Sequence, residues 1–204
     1  MKIYKHRCNT TKLLNETPTS YGIEMDLRTH KEEIIVTHDP FSAGPLFSDW
    51  LSDYKHSGLI LNVKEEGLED RILEIISKFG VSNYFFLDQS YPFMVKWLMK
   101  GFNQHIAARV SEYESINSFK SLVATPSFIW CDSFTGSWAH LSDVIELAQE
   151  KKIQVVIVSP ELHSRSSQNE VQELQQMLMG YKYGGVNVCT KTPETWLTCI
   201  APEI

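Results

Sequence analysis

The sequence lacks the features that would place the chain in a membrane or stabilise it through disulfide bonds. No apolar run approaches the roughly 20 residues that cross a bilayer, and the residues after Met1 form no apolar signal segment. The four cysteines (Cys8, Cys131, Cys189, Cys199) are far apart and form no CxxC pair, so no zinc-knuckle or thiol redox motif is indicated. A reduced, cytoplasmic protein without an integral membrane segment is the simplest interpretation.

Charge of one sign is not concentrated anywhere either. The formal net charge is -6, and no run of roughly five like charges forms a basic arm or an acidic tail. A nucleic-acid partner is not expected, because phosphate backbones are bound by a concentrated basic face. With 204 residues and no internal repeat, the chain is long enough for one core and too short for two ordinary domains. We therefore expect residues 1–204 to form a single domain.

Short apolar runs that alternate with helical stretches are the recurring feature of the chain. The predicted strands are 3–6, 21–27, 58–63, 83–87, 105–110, 128–131, 153–158 and 185–189, with 33–38 as an extension or hairpin partner of the second. The predicted helices are 68–79, 92–101, 116–122, 137–151, 168–180 and 193–200.

Eight strands that are apolar on both faces and alternate with helices predict a parallel sheet covered on both sides. The count of eight favours a closed (β/α)8 TIM barrel over an open doubly wound sheet. The count depends on treating 33–38 as an accessory strand, so the open sheet is the alternative. At the lower limit of the barrel's size range, roughly 200 residues, the fold must be compact and has no room for an inserted domain.

Glu24 and Asp26 are the first candidates for a functional site. Residues two apart on a strand project from the same face, so both carboxylates point into the same space. Two negative charges that close repel each other unless a proton or a cation neutralises them. A divalent ion with oxygen ligands, Mg²⁺ or Ca²⁺, suits the pair. The alternative is a solvated Glu-x-Asp at a strand edge.

His6, Arg7 and His38 favour a functional site over the solvated strand edge. Both histidines are predicted at strand ends, where the active sites of (β/α)8 barrels lie. Cleavage of a phosphodiester requires one group to remove a proton and another to donate one, and two histidines can divide these roles at neutral pH. The guanidinium of Arg7 can bind two phosphate oxygens. The other histidines are expected to be structural: His30, His56, His105, His140 and His163.

These residues together resemble the glycerophosphodiester phosphodiesterase family, which belongs to the phospholipase-C-like phosphodiesterase superfamily. The resemblance lies in three segments, namely His6-Arg7, the Glu-x-Asp of 22–27 and the His-Asp of 35–40. The segment 184–194 looks like the family's closing strand and the loop after it. The resemblance implies a (β/α)8 barrel, a metal bound by Glu24 and Asp26, an acid–base pair of His6 and His38, and Arg7 on the phosphate.

Members of the family cleave a glycerophosphodiester into glycerol phosphate and an alcohol, so the resemblance implies a small-molecule phosphodiester substrate. Attack by water and attack by a neighbouring substrate hydroxyl both remain open. The chain departs from the family at Cys8, where glycine is usual, and at Asn62, where the family has a glutamate metal ligand. Asn62 can still ligate through its amide oxygen, but without a charge. Lys64 is retained and is expected to reach the phosphate.

The neutral Asn62 leaves a second function open, a non-catalytic or weakly active barrel that binds a phosphorylated ligand. Weaker site candidates follow later strands. Asp88 and Asp132 are either further ligands or helix N-caps. The segment 161–165, with its glutamate, histidine and arginine, is either a substrate-contacting loop or a solvated one.

Overall fold

Eight parallel strands close into a barrel in the computed structural model, which describes residues 1–165 and 168–199. The nine strands are β1 Ile3–Lys5, β2 Gly22–His30, β3 Glu33–Val36, β4 Leu59–Val63, β5 Tyr84–Leu87, β6 Ala107–Val110, β7 Phe128–Cys131, β8 Gln154–Val158 and β9 Val186–Thr190. Their order in the sheet is β5-β4-β2-β1-β9-β8-β7-β6, and a bridge between Phe86 and Ile106 closes the circle. The predicted (β/α)8 TIM barrel is confirmed, with β3 paired to β2 outside the circle.

Helices connect the strands around the outside of the barrel. They are α1 Thr11–Glu16, α2 Phe47–Ser52, α3 Glu69–Lys78, α4 Tyr91–Met99, α5 Ile116–Lys120, α6 Leu141–Lys151 and α7 Gln168–Met179. Short 3-10 helices span Asn103–His105, Pro160–His163 and Pro193–Cys199. The last of these replaces the predicted closing α-helix, whose final residue, Ile200, lies outside the described residues. Across 1–165 and 168–199, none of the helices has both the length and the apolar character that spanning a bilayer requires.

Alternate side chains along the strands fill the inside of the barrel. This inner cluster consists of Tyr4, Ile60, Phe85, Leu87, Ala107, Trp130, Val156, Val158 and Cys189. The residues between them on the strands face outward and pack with the helices in a second, outer cluster. Because the interior is filled with apolar side chains, polar groups collect where the strands end. This open end of the barrel, the mouth, includes His6, Asp26, Lys64, Asp88, Arg109 and Asp132.

The hairpin of β2 and β3 returns the chain to the mouth. Its turn residues, Lys31 and Glu32, have positive φ angles of 47° and 68°, as a two-residue turn between twisted strands requires. Beyond β3, the backbone N–H of Thr37 donates to the carbonyl oxygen of Asp26 at 3.0 Å. The next residue, His38, is therefore held beside the carboxyl-terminal half of β2.

Gly22 allows the ring of Tyr4 to fill the base of the barrel. The two residues are partners in the β1–β2 ladder, and a Cβ at position 22 would overlap the Tyr4 ring, which is buried. We expect Gly22→Ala to lower the free energy of unfolding by about 1–3 kcal/mol, the usual cost of overpacking a core. Gly184→Ala is the control, because a Cβ there meets nothing within 4 Å. Urea unfolding of both variants tests this, and equal stability of the two would contradict it.

Candidate active site

Glu24 and Asp26 lie side by side at the mouth, both fully buried. Glu24 Oε2 accepts a hydrogen bond from the backbone N–H of Arg7 at 2.6 Å, and Oε1 accepts one from Asn62 Nδ2 at 3.0 Å. Burial, and next the charge of Asp26, raise the pKa of Glu24 well above its ordinary value. The predicted proximity of the two carboxylates is thus present, together with the electrostatic cost that it carries.

Asn9 orients Asp26 through two hydrogen bonds. Its Nδ2 donates to Asp26 Oδ2 at 2.7 Å, and its Oδ1 accepts from the backbone N–H of Asp26 at 3.0 Å. Asn9 is not among the site residues predicted from the sequence. Its contact arises because β1 pairs with β2, and the only local signal is a polar residue in the loop after a strand that ends in His-Arg.

The two predicted histidines make different contacts. The guanidinium Nη2 of Arg7 is 2.6 Å from His38 Nε2, and His38 Nδ1 is 2.7 Å from Asp39 Oδ1. In the tautomer that satisfies both contacts, Nδ1–H donates to Asp39 and Nε2 accepts from Arg7. His6 Nε2 is 3.8 Å from Glu24 Oε2. Burial, and then the charge of Arg7, lower the pKa of His6 to about 3, so this ring is neutral at pH 7.

The loop that carries His6 and Arg7 is held by two hydrogen bonds at Cys8. The indole Nε1–H of Trp50, a fully buried side chain of α2, donates to the carbonyl oxygen of Cys8 at 2.9 Å. The backbone N–H of Cys8 donates to the carbonyl oxygen of Glu24, also at 2.9 Å. Burial raises the pKa of the Cys8 thiol to about 11, so it is protonated at neutral pH and acts as a packing group.

Lys64 lies between Asp26 of β2 and Asp88, which follows β5. Its Nζ lies 3.3 Å from Asp26 Oδ1 and 3.3 Å from Asp88 Oδ2. Lys64 follows β4, and its backbone N–H donates to the carbonyl oxygen of Leu27 at 3.1 Å. The ammonium group is thereby held between two acids, at the edge of the site that His6 and Glu24 form.

Arg109 continues the charged network on the far side of Asp88. One guanidinium nitrogen contacts Asp88 and another contacts Asp132, and Asp132 Oδ1 lies 2.6 Å from His163 Nε2. Of the two alternatives for Asp88 and Asp132, the helix N-cap is wrong, since the N-caps of α4 and α6 are other residues. Arg109 itself was missed, because β6 reads as an apolar strand with one inward arginine.

Glu161 stabilises the end of β9. Its Oε1 accepts from the backbone N–H of Lys191 at 3.0 Å and from the hydroxyl of Thr190, while its Oε2 accepts from the hydroxyl of Ser159. The segment 161–165 is thus divided in role, because Glu161 holds the backbone and His163 faces the acid network of the mouth.

The residues proposed as metal ligands have the chemistry of a hard-cation site. Asp26 and Asn62 are partners in the β2–β4 ladder. The Oδ1 atom of each is buried and accepts no hydrogen bond, and that of Asp26 is paired with Lys64 Nζ at 3.3 Å. With Glu24, they offer two carboxylates and one amide oxygen, which are ligands that Mg²⁺ and Ca²⁺ accept. Among the described residues, no group of three or more His, Cys, Asp or Glu side chains could hold a metal, and the third residue of the predicted set is an asparagine.

The structure brings the seven predicted site residues to one end of the barrel, where they are connected pairwise. The pairs run from His38 to Arg7, from Arg7 and His6 to Glu24, from Glu24 to Asn62, and from Asp26 to Lys64. This arrangement offers acid–base groups, cations and anionic ligands within one small volume. Their individual roles stay predictions.

Comparison with known proteins finds relatives in structure and none in sequence. No protein-family model matches the chain, and no curated protein has a significantly similar sequence. A glycerophosphoryl diester phosphodiesterase from Parabacteroides distasonis is 14% identical, with a TM-score of 0.71 over 99% of this chain and 88% of that one. A phosphodiesterase from Oleispira antarctica, solved with the product sn-glycerol-3-phosphate, is 14% identical, with a TM-score of 0.69 over 98% and 96% of the two chains.

The same barrel also supports a different chemistry. The tryptophan synthase alpha subunit of Campylobacter jejuni is 14% identical, with a TM-score of 0.58 over 93% of this chain and 86% of that one. At such identities the likeness shows a shared fold, and function has to be argued from the side chains of the site.

Proposed function

We propose that the chain is a phosphoric diester hydrolase that acts on a glycerophosphodiester or a closely related phosphodiester. The observation that supports this most directly is the convergence of His6, Arg7 and His38 beside the buried pair Glu24 and Asp26. Two imidazoles can supply a general base and a general acid for displacement at phosphorus, and a guanidinium can stabilise the negative charge of the phosphate. The barrel that carries them is shared with the structural relatives whose names state this activity.

Arg7 binds the phosphate, and the two histidines transfer protons. Arg7, held by His38 through one nitrogen, presents its remaining N–H groups to two non-bridging phosphate oxygens. His38, oriented by Asp39, and His6, neutral at pH 7, act as the acid–base pair. His6, as the neutral ring, removes the proton of the attacking water or substrate hydroxyl. His38, when both of its ring nitrogens are protonated and Nε2 no longer accepts from Arg7, donates a proton to the departing alcohol oxygen.

A divalent cation, Mg²⁺ or Ca²⁺, is part of the proposal. Glu24, Asp26 and Asn62 would hold it, and when bound it stabilises negative charge that develops on the phosphate oxygens. Lys64, at 3.3 Å from Asp26, adds a fixed positive charge beside the same phosphate. The buried thiols suit a reducing, cytoplasmic setting, where the substrate would come from glycerophospholipid breakdown.

Hydrolysis of glycerophosphodiesters, measured by release of glycerol phosphate with and without a chelator, tests this function. We expect turnover that EDTA removes and that Mg²⁺ or Ca²⁺ restores. Glu24→Gln should raise the metal concentration at half-maximal activity by about ten- to a hundredfold, since it removes a charged ligand. Calorimetric titration of the metal alone provides a reading that is independent of turnover.

Asn62 favours a second candidate, a barrel that binds phosphorylated ligands without cleaving them. Its amide donates to Glu24 and so occupies one carboxylate oxygen with a hydrogen bond. Binding of glycerol phosphate without hydrolysis of any diester, across the two metals, would replace the hydrolase by this binder.

A further inference from the structure

A cavity of about 440 Å³ opens in the barrel wall between β5 and β6, beside the mouth. Apolar side chains form about half of its walls, namely Leu87, Met94, Ala107, Ala108, Phe119 and Leu122, and polar side chains such as Asp88, Arg109 and Glu114 form the rest. The volume is within the range of small-molecule sites and far exceeds what one water molecule needs. None of the acid–base or metal residues proposed above lines this lateral cavity, so it is a separate space that adjoins the site.

The lateral cavity passes through the barrel wall. Leu87 and Ala107 belong to the inner cluster, whereas Ala108, Met94 and Phe119 belong to the outer cluster, yet all five line the same space. A cavity that contacts both clusters must lie across the seam between two strands.

The reason for the opening is the loose junction of β5 and β6. The two strands share one isolated bridge, Phe86 with Ile106, whereas the other adjacent barrel strands share two to five paired residues. Past this bridge β6 carries Ala107 and Ala108, whose short side chains leave the space between the strands unfilled. The sequence therefore places the smallest apolar residues where the wall is open.

The ends of the lateral cavity differ in polarity. At the inner end lie Asp88 and Arg109, which form an ion pair. Arg109 Nε is also 3.8 Å from Glu114 Oε2, and Asp88 Oδ2 is 3.3 Å from Lys64 Nζ. At the outer end lie Tyr91 and Tyr113, whose exposed fractions are 51% and 73%. A ligand that fills the cavity would thus have its polar end beside Lys64 and its apolar part between the strands.

We propose that the lateral cavity binds an alkyl or acyl chain on the alcohol side of the phosphodiester, so that the preferred substrates are diesters of an apolar alcohol. This rests on the proposed hydrolase function for the position of the phosphate. Glycerol or an amino alcohol would leave most of the cavity empty, while an apolar chain buries its methylenes against the six apolar wall residues. A neutral chain also suits an inner end whose charged groups are already paired with one another.

The test uses glycerophospho-n-alkyl esters from ethyl to octyl, kept below their micellar concentrations. We expect kcat/KM of the wild type to rise about three- to fourfold for each added methylene, the effect of burying one CH₂ group. Ser118 is an exposed residue of α5 that lines the cavity, so Ser118→Trp should fill it and remove the dependence on chain length. Asn117→Trp, on the same helix and outside the cavity lining, should retain it.

Binding of ethyl and octyl phosphate by calorimetry separates this inference from the hydrolase function. Tighter binding of octyl phosphate that Ser118→Trp removes and Asn117→Trp retains supports the cavity as a chain site, even if no diester is cleaved. Turnover or binding that is independent of chain length overturns it and leaves the hydrolase function intact. Chain-length dependence that both tryptophan variants retain also overturns it, since the chain then binds elsewhere.

Discussion

His38→Ala lowers kcat for phosphodiester hydrolysis by about a hundred- to ten-thousandfold, the usual contribution of a general acid or base, without a change in thermal stability. This expectation follows from the position of the ring. His38 lies outside the barrel circle, after β3, and its side chain is partly exposed. Its two ring contacts go to Arg7 and Asp39, neither of which belongs to the apolar core. The ring can therefore be removed without leaving a cavity in that core.

Two further variants make the expectation specific to this imidazole. Asp39→Asn should cost much less than His38→Ala, because the Asp39 side chain is mostly exposed and an amide oxygen can still accept from Nδ1–H. His30→Ala, at the exposed end of β2, should leave kcat unchanged. Steady-state kinetics together with melting curves decide the matter. If His38→Ala keeps a tenth or more of the wild-type kcat, His38 is not one of the acid–base groups.

Arg109→Met is expected to lower the free energy of unfolding by about 3–5 kcal/mol, the cost of removing one partner from a buried ion pair. The guanidinium contacts Asp88 and Asp132, and Asp132 is fully buried. Methionine approximates the length of the arginine side chain, so packing changes little while Asp132 and Asp88 lose the guanidinium and Asp88 keeps Lys64 alone. Chemical denaturation measures the loss.

A double variant that also removes one of the two carboxylate charges, and a control variant at the surface, test this expectation. Asp88→Asn combined with Arg109→Met should recover part of the stability, since one of the stranded carboxylates is then neutral. Arg71→Met, at an exposed position of α3, should change stability by about 0.5 kcal/mol or less. A loss below about 1 kcal/mol for Arg109→Met would mean that water solvates the two acids once the guanidinium is gone.

The fold could be predicted from the sequence because it depends on local patterns. Each barrel strand is a short apolar run, and each predicted strand overlaps an observed one. The helices that were missed, α1 and α2, have six residues each, too few to show a helical period. The helix predicted from residue 137 begins at Leu141, since the loop before it continues the same polar composition.

The site was predictable where it depends on spacing and not where it depends on strand neighbours. Glu24 and Asp26 are two residues apart on one strand, so their common direction follows from strand geometry. Asn9 and Arg109 were missed because their partners come from other strands. Which carboxylates Arg109 meets is decided by the order of β5, β6 and β7 in the barrel, and a single strand carries no information about its neighbours.

The hairpin of β2 and β3 has a consequence for the precision of the site. Four residue pairs, from Leu27 with Val36 to His30 with Glu33, align these strands, and the hydrogen bond from Thr37 to Asp26 continues the alignment. A shift of one residue would turn every side chain of β3 to the opposite face. His38, two residues after Val36, would then point away from Arg7. The β2–β3 ladder therefore sets the position of the His38 imidazole, and the proposed catalysis depends on the correct pairing of these two strands.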